Sequence, residues 1–592
     1  MTKDQVVVLA VLGGALALFI WGRWRYDVVA LMALMAVTLA GILPPEGVFA
    51  GFGHPAVITV AAVLILSHAL SSSGAVEIVG KRLSGIGGRP ALQTAALTGL
   101  VAFSSTFMNN VGALALFMPL ALQLCGKSGR PASEVLMPLS FGSLLGGLVT
   151  LIGTPPNIII ALYRDQVSGE PFAMFDFAPV GLGVAAVGVI YISLLGWKLL
   201  PSRRQGGFAP DRLFEIDGYI IETRLPENSR LAGRPLRELE RFGEGDVSIL
   251  ALVRGGRRRL APGPFEMLRA GDALILEGHP NALKAIVDDA GLEMAVSRTV
   301  KAETLKSERV DMFEAVVSPG SPIEGRSARM IRLHERHGVN LLAISRQGQS
   351  IRQRINRITF KAGDVLLLQG EIETMGETLA ALGCLPLARR NIRLGRPRRV
   401  WPAVAVFVAA IAVTAAGLLP AHVAFTLGVV ALVLFNLLPL REVYGAIDGP
   451  VIVLLAAMIP VGQALENTSA TGLLAGLLVD IAGDLPRWAI LAVLLISAMA
   501  LSDVINNAAT AVVMAPIAAS VATALGAPVD PFLMAVAVGS SCTFLTPIGH
   551  QSNTLVMGPG GYAFGDYWRM GLPLDALVVV TAIPLILLFW PL

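Results

Sequence analysis

Apolar residues fill this chain in long unbroken runs: 5–22, 27–44, 55–79, 133–163 and 177–200, then 401–418, 422–440, 450–466, 531–557 and 571–590. A helix needs about 20 apolar residues to cross a hydrocarbon core of roughly 30 Å. The runs therefore predict ten membrane-crossing helices, the first of them retained, because no small-residue cleavage site follows it. Between the third and fourth run of each set lies a stretch with polar residues at its middle, about 90–124 and 486–522. Each predicts a helical hairpin that enters the membrane and turns back. The pattern changes between 201 and 400, where short β-type runs such as Ser248–Val253 and Ala273–Leu276, bounded by Gly and Asp, precede a helix-like stretch, Asn281–Ala290.

Self-comparison organises these elements. Pro44 and Pro439, Pro55 and Pro450, and Ala69-Leu70 and Ala464-Leu465 pair at an offset of 395. Asn109-Asn110 pairs with Asn506-Asn507, and Thr150–Asn157 with Thr546–Asn553. One ancestral unit is duplicated, and five crossings per unit, an odd number, make the second copy run oppositely through the membrane, the inverted-repeat plan of secondary transporters. The middle segment is itself a tandem: Val247–Arg254 matches Val339–Arg346 and Ala270–Gly278 matches Ala362–Gly370, all at an offset of 92. The predicted fold is thus a polytopic α-helical membrane protein with two inverted repeats of five transmembrane helices plus a re-entrant hairpin each, and two small α+β cytosolic domains inserted between them. The boundaries are 1–200, 201–297, 298–400 and 401–592.

Composition supports the class: 54% of residues are apolar and 15% charged, against about 25% charged in soluble proteins. Residues 201–400 hold 33 of the 46 Lys and Arg and 25 of the 42 Asp and Glu, so the middle is basic and the flanks are slightly acidic. If the middle is cytoplasmic, Arg23, Arg25, Lys81, Arg82, Arg89, Lys127, Arg130 and Lys198 face inward in the first half, against Lys3 and Arg164 outward, as the positive-inside rule asks. That topology places a multi-pass protein in the inner (plasma) membrane with both termini outside. Cys125, Cys384 and Cys542 are too far apart for a disulfide framework or zinc site. No nucleotide fingerprint, metal cluster or catalytic constellation is present, so an enzyme, an organic or redox cofactor and a nucleic-acid partner are not expected.

Polar groups inside a bilayer are costly unless they line a site. The two Asn-Asn pairs, each with a serine (Ser105, Ser502) five residues before the second Asn, sit at the hairpin midpoints. They predict tips whose Asn and Ser oxygens meet a cation while half-helix N-termini face an anion. Gly153–Asn157 and Gly549–Asn553 break the fourth helix of each unit, Pro155 and Pro156 removing backbone donors. Such breaks survive in lipid where they line a cavity. Thr154 and Asn157 in one break, and Ser552 and Asn553 in the other, are expected at the substrate with Asn109, Asn110, Asn506 and Asn507. Asp503 has Thr106 at its matched position and is a candidate for coupling.

Ser105-x-x-x-Asn109-Asn110 and Ser502-x-x-x-Asn506-Asn507, each nine residues before a proline, resemble the paired hairpin-tip motifs of the divalent anion:sodium symporter family of the ion transporter superfamily. Gly153-Thr-Pro-Pro-Asn157 resembles its unwound loop, and the insert resembles two RCK C-terminal (TrkA-C) domains, as in the sulfate-transporter-like branch. The resemblance implies Na⁺-coupled, elevator-type uptake of a divalent anion by a homodimer in the lipid bilayer, with an unidentified small regulatory ligand on the cytosolic tandem. It also implies one Na⁺ site at Ser105, Asn110 and Gly153, its mate at Ser502, Asn507 and Gly549, and anion contacts from Asn109 and Asn506. The motif's Thr is Val111 in one tip and Ala508 in the other, which favours a sulfate-like oxyanion over a dicarboxylate. A cation/proton antiporter using Asp503 is the alternative; a ligand-gated channel and a non-transporting sensor are further readings.

Overall fold

In the computed structural model, the described residues are all but 22–23, 74–89, 201–219, 295–309, 388–399 and 471–484, with short gaps at 129, 228, 230, 243–246, 256, 261, 264, 279, 347–348, 352–354 and 469. Arg23, Lys81, Arg82, Arg89 and most of both Arg-rich linkers lie outside the described residues. The first apolar region forms α1 (Lys3–Trp21), α2 (Tyr26–Leu39), α3 (Pro55–Ser72), α4 (Pro90–Ser105), α5 (Asn110–Ser128), α6 (Leu136–Gly147), α7 (Pro155–Ser168) and α8 (Ala178–Leu194). The second forms α9 (Val400–Ala415), α10 (Ala421–Leu434), α11 (Gly449–Asn467), α12 (Arg487–Ser502), α13 (Asn507–Ala524), α14 (Val529–Ser541), α15 (Gln551–Gly560) and α16 (Tyr567–Phe589).

The apolar runs resolve into shorter helices than uninterrupted crossings would need. By length and composition three described segments are long and apolar enough to span, Pro45–Leu70, Asn507–Ala524 and Phe564–Phe589, with eight shorter apolar helices of 10–17 residues beside them. The runs 133–163 and 531–557 are each cut in two, α6 from α7 and α14 from α15, by non-helical backbone at 148–154 and 542–550. Run 27–44 ends early because Gly41 takes a positive φ of 78° and Pro44 and Pro45 follow it.

Contacts exchange between the two halves. α2 packs on α11 and α10 on α3; α7 packs on α13 and α14, and α15 on α5 and α6; α8 packs on α16. One continuous apolar core, including Leu34, Leu66, Phe141, Phe425, Phe532 and Phe544, runs through both halves.

The middle segment contains two five-stranded antiparallel sheets, from β1 (Ile220–Arg224), β2 (Val247–Arg254), β3 (Arg257–Leu260), β4 (Ala273–Gly278) and β5 (Glu293–Met294), and from β6 (Val310–Val317), β7 (Asn340–Arg346), β8 (Gln349–Ile351), β9 (Val365–Glu371) and β10 (Cys384–Pro386). Their orders, β3-β2-β4-β1-β5 and β10-β6-β9-β7-β8, are the same order read from opposite ends, and a register shift falls at Ile249/Ala251 in one and Leu341/Ala343 in the other. Each sheet covers its own apolar core with helices on one face. The other faces meet through β2 and β7, where Asn340 Nδ2 donates to the Ile249 carbonyl at 3.2 Å.

Each unit is locked by a bidentate ion pair. Arg254 donates to both oxygens of Asp272 at 2.8 and 2.7 Å, and Arg346 to both oxygens of Asp364 at 2.7 Å. The same carboxylates accept the Arg269 and Lys361 N–H groups, closing the turns that enter β4 and β9. Burial acts to raise the Asp272 carboxyl, but the hydrogen bonds from Arg254 and the Arg269 N–H outweigh it and hold the group below the usual carboxylate range. This stabilisation is therefore fully present above the ordinary carboxylate pKa of about 4 and is lost as pH falls through the lower folded-state value. Arg254→Met leaves Asp272, 1% exposed, without its counter-ion and should cost about 3 kcal/mol. Hydrogen exchange of the β2 and β4 amides in the full chain checks this, with the variant's loss largest near neutral pH and vanishing in acid.

Candidate functional site

Two helical hairpin turns and two helix breaks build the polar centre. α4 ends at Ser105 and α5 begins at Asn110; α12 ends at Ser502 and α13 begins at Asn507. Asn506 caps α13 by accepting the Ala508 N–H at 2.8 Å, and Asn109 accepts the Val111 N–H at 3.4 Å in the same place on α5. Ser105, Asn110, Ser502 and Asn507 are buried, while Asn109 and Asn506 are half-buried.

The first turn meets the first break around one amide. One polar atom of the Asn110 side chain lies 2.8 Å from Ser105 Oγ, 3.0 Å from the Ser143 carbonyl oxygen and 3.2 Å from the Gly153 carbonyl oxygen. The other lies 3.5 Å from His550 Nε2, in the break of the second half. This surrounding can be satisfied in two ways. With its nitrogen toward the three oxygens, Asn110 donates to them. With its oxygen there, four oxygens converge on one small volume and need a positive charge among them. The three oxygens are thus satisfied either by the amide nitrogen or, with the amide turned over, by a positive charge among them.

The breaks are held by asparagines that turn back on their own loops. Asn157 Nδ2 donates to the Thr150 carbonyl at 2.9 Å and the Gly147 carbonyl at 3.3 Å. Asn553 Nδ2 donates to the Thr543 and Thr546 carbonyls at 2.7 and 3.1 Å, at the same sequence separations. Asn553 Oδ1 also accepts from Ser140 Oγ at 2.7 Å, across the two halves. Both asparagines therefore brace the backbone where helical hydrogen bonds are missing; Asn553 has no polar atom left to offer, whereas Asn157 Oδ1 is unpaired. Gly549 is needed for close approach, since a Cβ there would stand 2.7 Å from the Ser502 carbonyl oxygen.

The second turn differs from the first. Ser502 Oγ donates to the Ser540 carbonyl at 2.6 Å. Asp503, 5% exposed, accepts the Leu545 N–H with one oxygen at 3.1 Å, and its carbonyl accepts from Thr546 Oγ1 at 2.7 Å. Its other oxygen has no partner. His550 Nδ1 accepts the Ser552 N–H at 3.0 Å, which leaves the ring hydrogen on Nε2, facing Asn110. Among the described residues, Thr154 Oγ1, Asn157 Oδ1, Asn507 Nδ2, Thr543 Oγ1 and Ser552 Oγ are also buried without a hydrogen-bond partner. A buried polar atom left so costs about 1–3 kcal/mol, and several of them gather at the two breaks and the second turn.

Two contributors escape the sequence reading, and so does the partner of His550, 440 positions away. The Ser143 carbonyl is backbone and leaves no side-chain signal. Asp575, a carboxylate within an otherwise apolar α16 and within electrostatic reach of Asp503, was findable as a charge in a membrane run.

Comparison with known proteins fits this geometry. Residues 16–539 match the citrate transporter family, CitMHS. Over 99% of its length the chain is 33% identical to an uncharacterized transporter, sll0640, of Synechocystis, covering 97% of that protein. It is 29% identical to the uncharacterized transporter YfbS of Escherichia coli over the whole of both chains. Over 54% of its length it is 26% identical to sodium/sulfate cotransporter 2 of Chlamydomonas reinhardtii, covering 38% of that protein.

The bracing role has a direct test. Asn553→Ala strands the Thr543 and Thr546 carbonyls and the Ser140 hydroxyl in the interior and should cost about 2–4 kcal/mol. A thermal midpoint in detergent clearly below that of Asn109→Ala, whose side chain is half-buried, is the expected result.

Proposed function

Because the chain belongs to the citrate transporter family, we propose that it is a secondary active transporter that carries a small divalent anion, sulfate-like rather than dicarboxylate, together with Na⁺. The family and the relatives are transporters, not enzymes. The observation that carries the finer reading is the Asn110 amide, set between three oxygens and His550.

With Na⁺ among Asn110 Oδ1, Ser105 Oγ and the Ser143 and Gly153 carbonyls, the Asn110 NH₂ group is turned toward His550 Nε2–H. Two donors then stand side by side, and only an acceptor satisfies both. A fully ionised oxyanion is such an acceptor. Without Na⁺ the amide turns over, its oxygen accepts from Nε2–H, and the anion loses both donors. Residues 100–112, 146–158, 500–512 and 542–554 contain no Lys or Arg, so positive charge for the anion comes from Na⁺ and from the N-terminal ends of α5, α13 and α15. The two prolines opening α7 leave that end poorer in donors, which makes the binding centre lopsided. Ser502, Asn507 and Gly549 form the second cation site in this reading, with Asp503 adding a carboxylate beside it.

Alternating access in this reading is elevator-like, and the ties between the halves support it. Tyr562 Oη accepts the Met137 N–H and donates to the Ser133 carbonyl, joining the end of α15 to the start of α6. Arg164 pairs with Asp530 at 2.7 Å, joining the end of α7 to the start of α14. Phe141 and Phe544 stack with centroids 4.9 Å apart. Halves tied at both ends and at the middle expose the site by travelling as one body. The exchanged helix contacts support the inverted-repeat reading of 1–200 and 401–592; the proposal further takes the two sheet units as cytoplasmic domains, both termini as outside and the protein as a homodimer in the plasma membrane.

The unpartnered oxygen of Asp503, with Asp575 nearby, favours one rival, cation/proton antiport. The first measurement is thermal stability of the purified protein with sulfate, thiosulfate, succinate, citrate and chloride, each in Na⁺ and in K⁺. Sulfate or thiosulfate should raise the midpoint only in Na⁺, by mass action. Asn110→Ala and Asn507→Ala should each weaken anion affinity about 10-fold or more and flatten its Na⁺ dependence. Indifference of the anion shift to Na⁺ would sink the coupling scheme. Anion uptake that survives Asp503→Asn unchanged would count against the antiporter, and stability responding to Na⁺ or pH but to no anion would favour it.

A further inference from the structure

The two inserted units carry the same turn, and among the described residues the surroundings of the two copies differ. The turn of the first unit, Arg269–Asp272, ends in Gly271 at φ +85°, and a Cβ built there meets nothing within 4 Å. The turn of the second, Lys361–Asp364, contains Gly363 at φ +82°, and there a Cβ would stand 2.9 Å from the Thr554 carbonyl oxygen in α15. The reciprocal contact is closer still: a Cβ on Gly558 of α15 would overlap the Gly363 carbonyl oxygen and meet Val365 Cγ2 at 3.4 Å. β6 also packs on α15.

The sequence around the turn has diverged to match. Val316 and Val365, paired across β6 and β9, are buried and belong to the same apolar core as the membrane helices. Their counterparts 92 residues earlier are Arg224, exposed, and Ala273, half-buried. The matched surface thus holds two buried valines where it meets α15, and an exposed arginine beside a half-buried alanine in the other unit. Thr554 also donates from Oγ1 to the Pro547 carbonyl at 2.6 Å, so the contacted turn of α15 is tied to the break that carries His550.

We propose that the second inserted unit clamps α15 through the Lys361–Asp364 turn and restrains transport, the unit being autoinhibitory until it lifts from Gly558. This rests on the transport reading above and adds the contact and its sign. α15 bears one side of the binding centre, and holding it against an external domain opposes any travel of the body to which it belongs.

Gly363→Ala and Gly271→Ala make a matched pair, because both put a side chain at the same strained φ while only the first meets α15. In the full-length protein reconstituted in liposomes, Gly363→Ala should raise hydrogen exchange of amides 554–560 by about 5-fold or more, with Gly271→Ala unchanged. Initial Na⁺-driven uptake of labelled sulfate should rise about 2-fold or more in Gly363→Ala alone. Unchanged exchange in Gly363→Ala, equal effects of the two variants, or uptake that stays level or falls while exchange rises, would each overturn the clamp. Absence of sulfate uptake by the unaltered protein would count against the proposed substrate; the exchange comparison needs no substrate and decides the contact separately.

Discussion

Everything in the membrane part depends on how broken backbone is satisfied away from water. A helix that stops inside an apolar core exposes N–H and C=O groups that lipid cannot solvate, and among the described residues the two breaks and two hairpin turns are such stops. Asn157 and Asn553 close two of the gaps by donating to carbonyls seven and ten residues earlier. Asn109 and Asn506 cover N–H groups at the turns. The oxygens of Ser105, Ser143 and Gly153 gather instead around the one amide of Asn110, and in the proposed reading the binding centre is what remains after the backbone has been stabilised.

Duplication then supplies two of each part, and divergence gives them different work. Thr154, Pro155 and Pro156 in one break correspond to His550, Gln551 and Ser552 in the other; Thr106 in one turn corresponds to Asp503 in the other. The same holds in the inserted units, where matched Arg–Asp locks keep two sheets alike while Arg224 and Val316 make their outer faces unlike. In both places an interaction internal to the unit is kept and the residues facing outward have changed.

Much of this was readable before any coordinates. Offsets of 395–397 and 92 are visible because duplicated units keep their punctuation, Pro, Gly and Asp, longer than their apolar filling. The hairpin turns and breaks were visible because an Asn or a Pro-Pro in an apolar run has few bland explanations. What stayed hidden is direction and partnership. Nothing in the sequence distinguishes an asparagine that reaches across to the other half from one folded back on its own loop, because both sit at a helix break; Asn110 reaches His550 and Asn157 folds back. Helix lengths were overread for a related reason: apolarity continues through 148–152 and 542–548, where the backbone does not remain helical. Gly558 carries no sequence signal at all, since its meaning lies in a domain inserted from elsewhere in the chain.

The Asn110–His550 contact also bears on how the protein is made. The two residues are 440 positions apart, and between them the ribosome must deliver the whole inserted tandem. At about 5–20 residues per second, residue 550 follows residue 110 by roughly 20–90 s. During that interval the first half sits in the membrane with its helix break and hairpin turn facing no counterpart, and α2 and α3 lacking α11 and α10. The nascent half-protein must therefore persist over that interval with the polar groups of its break and turn unmatched by the second copy.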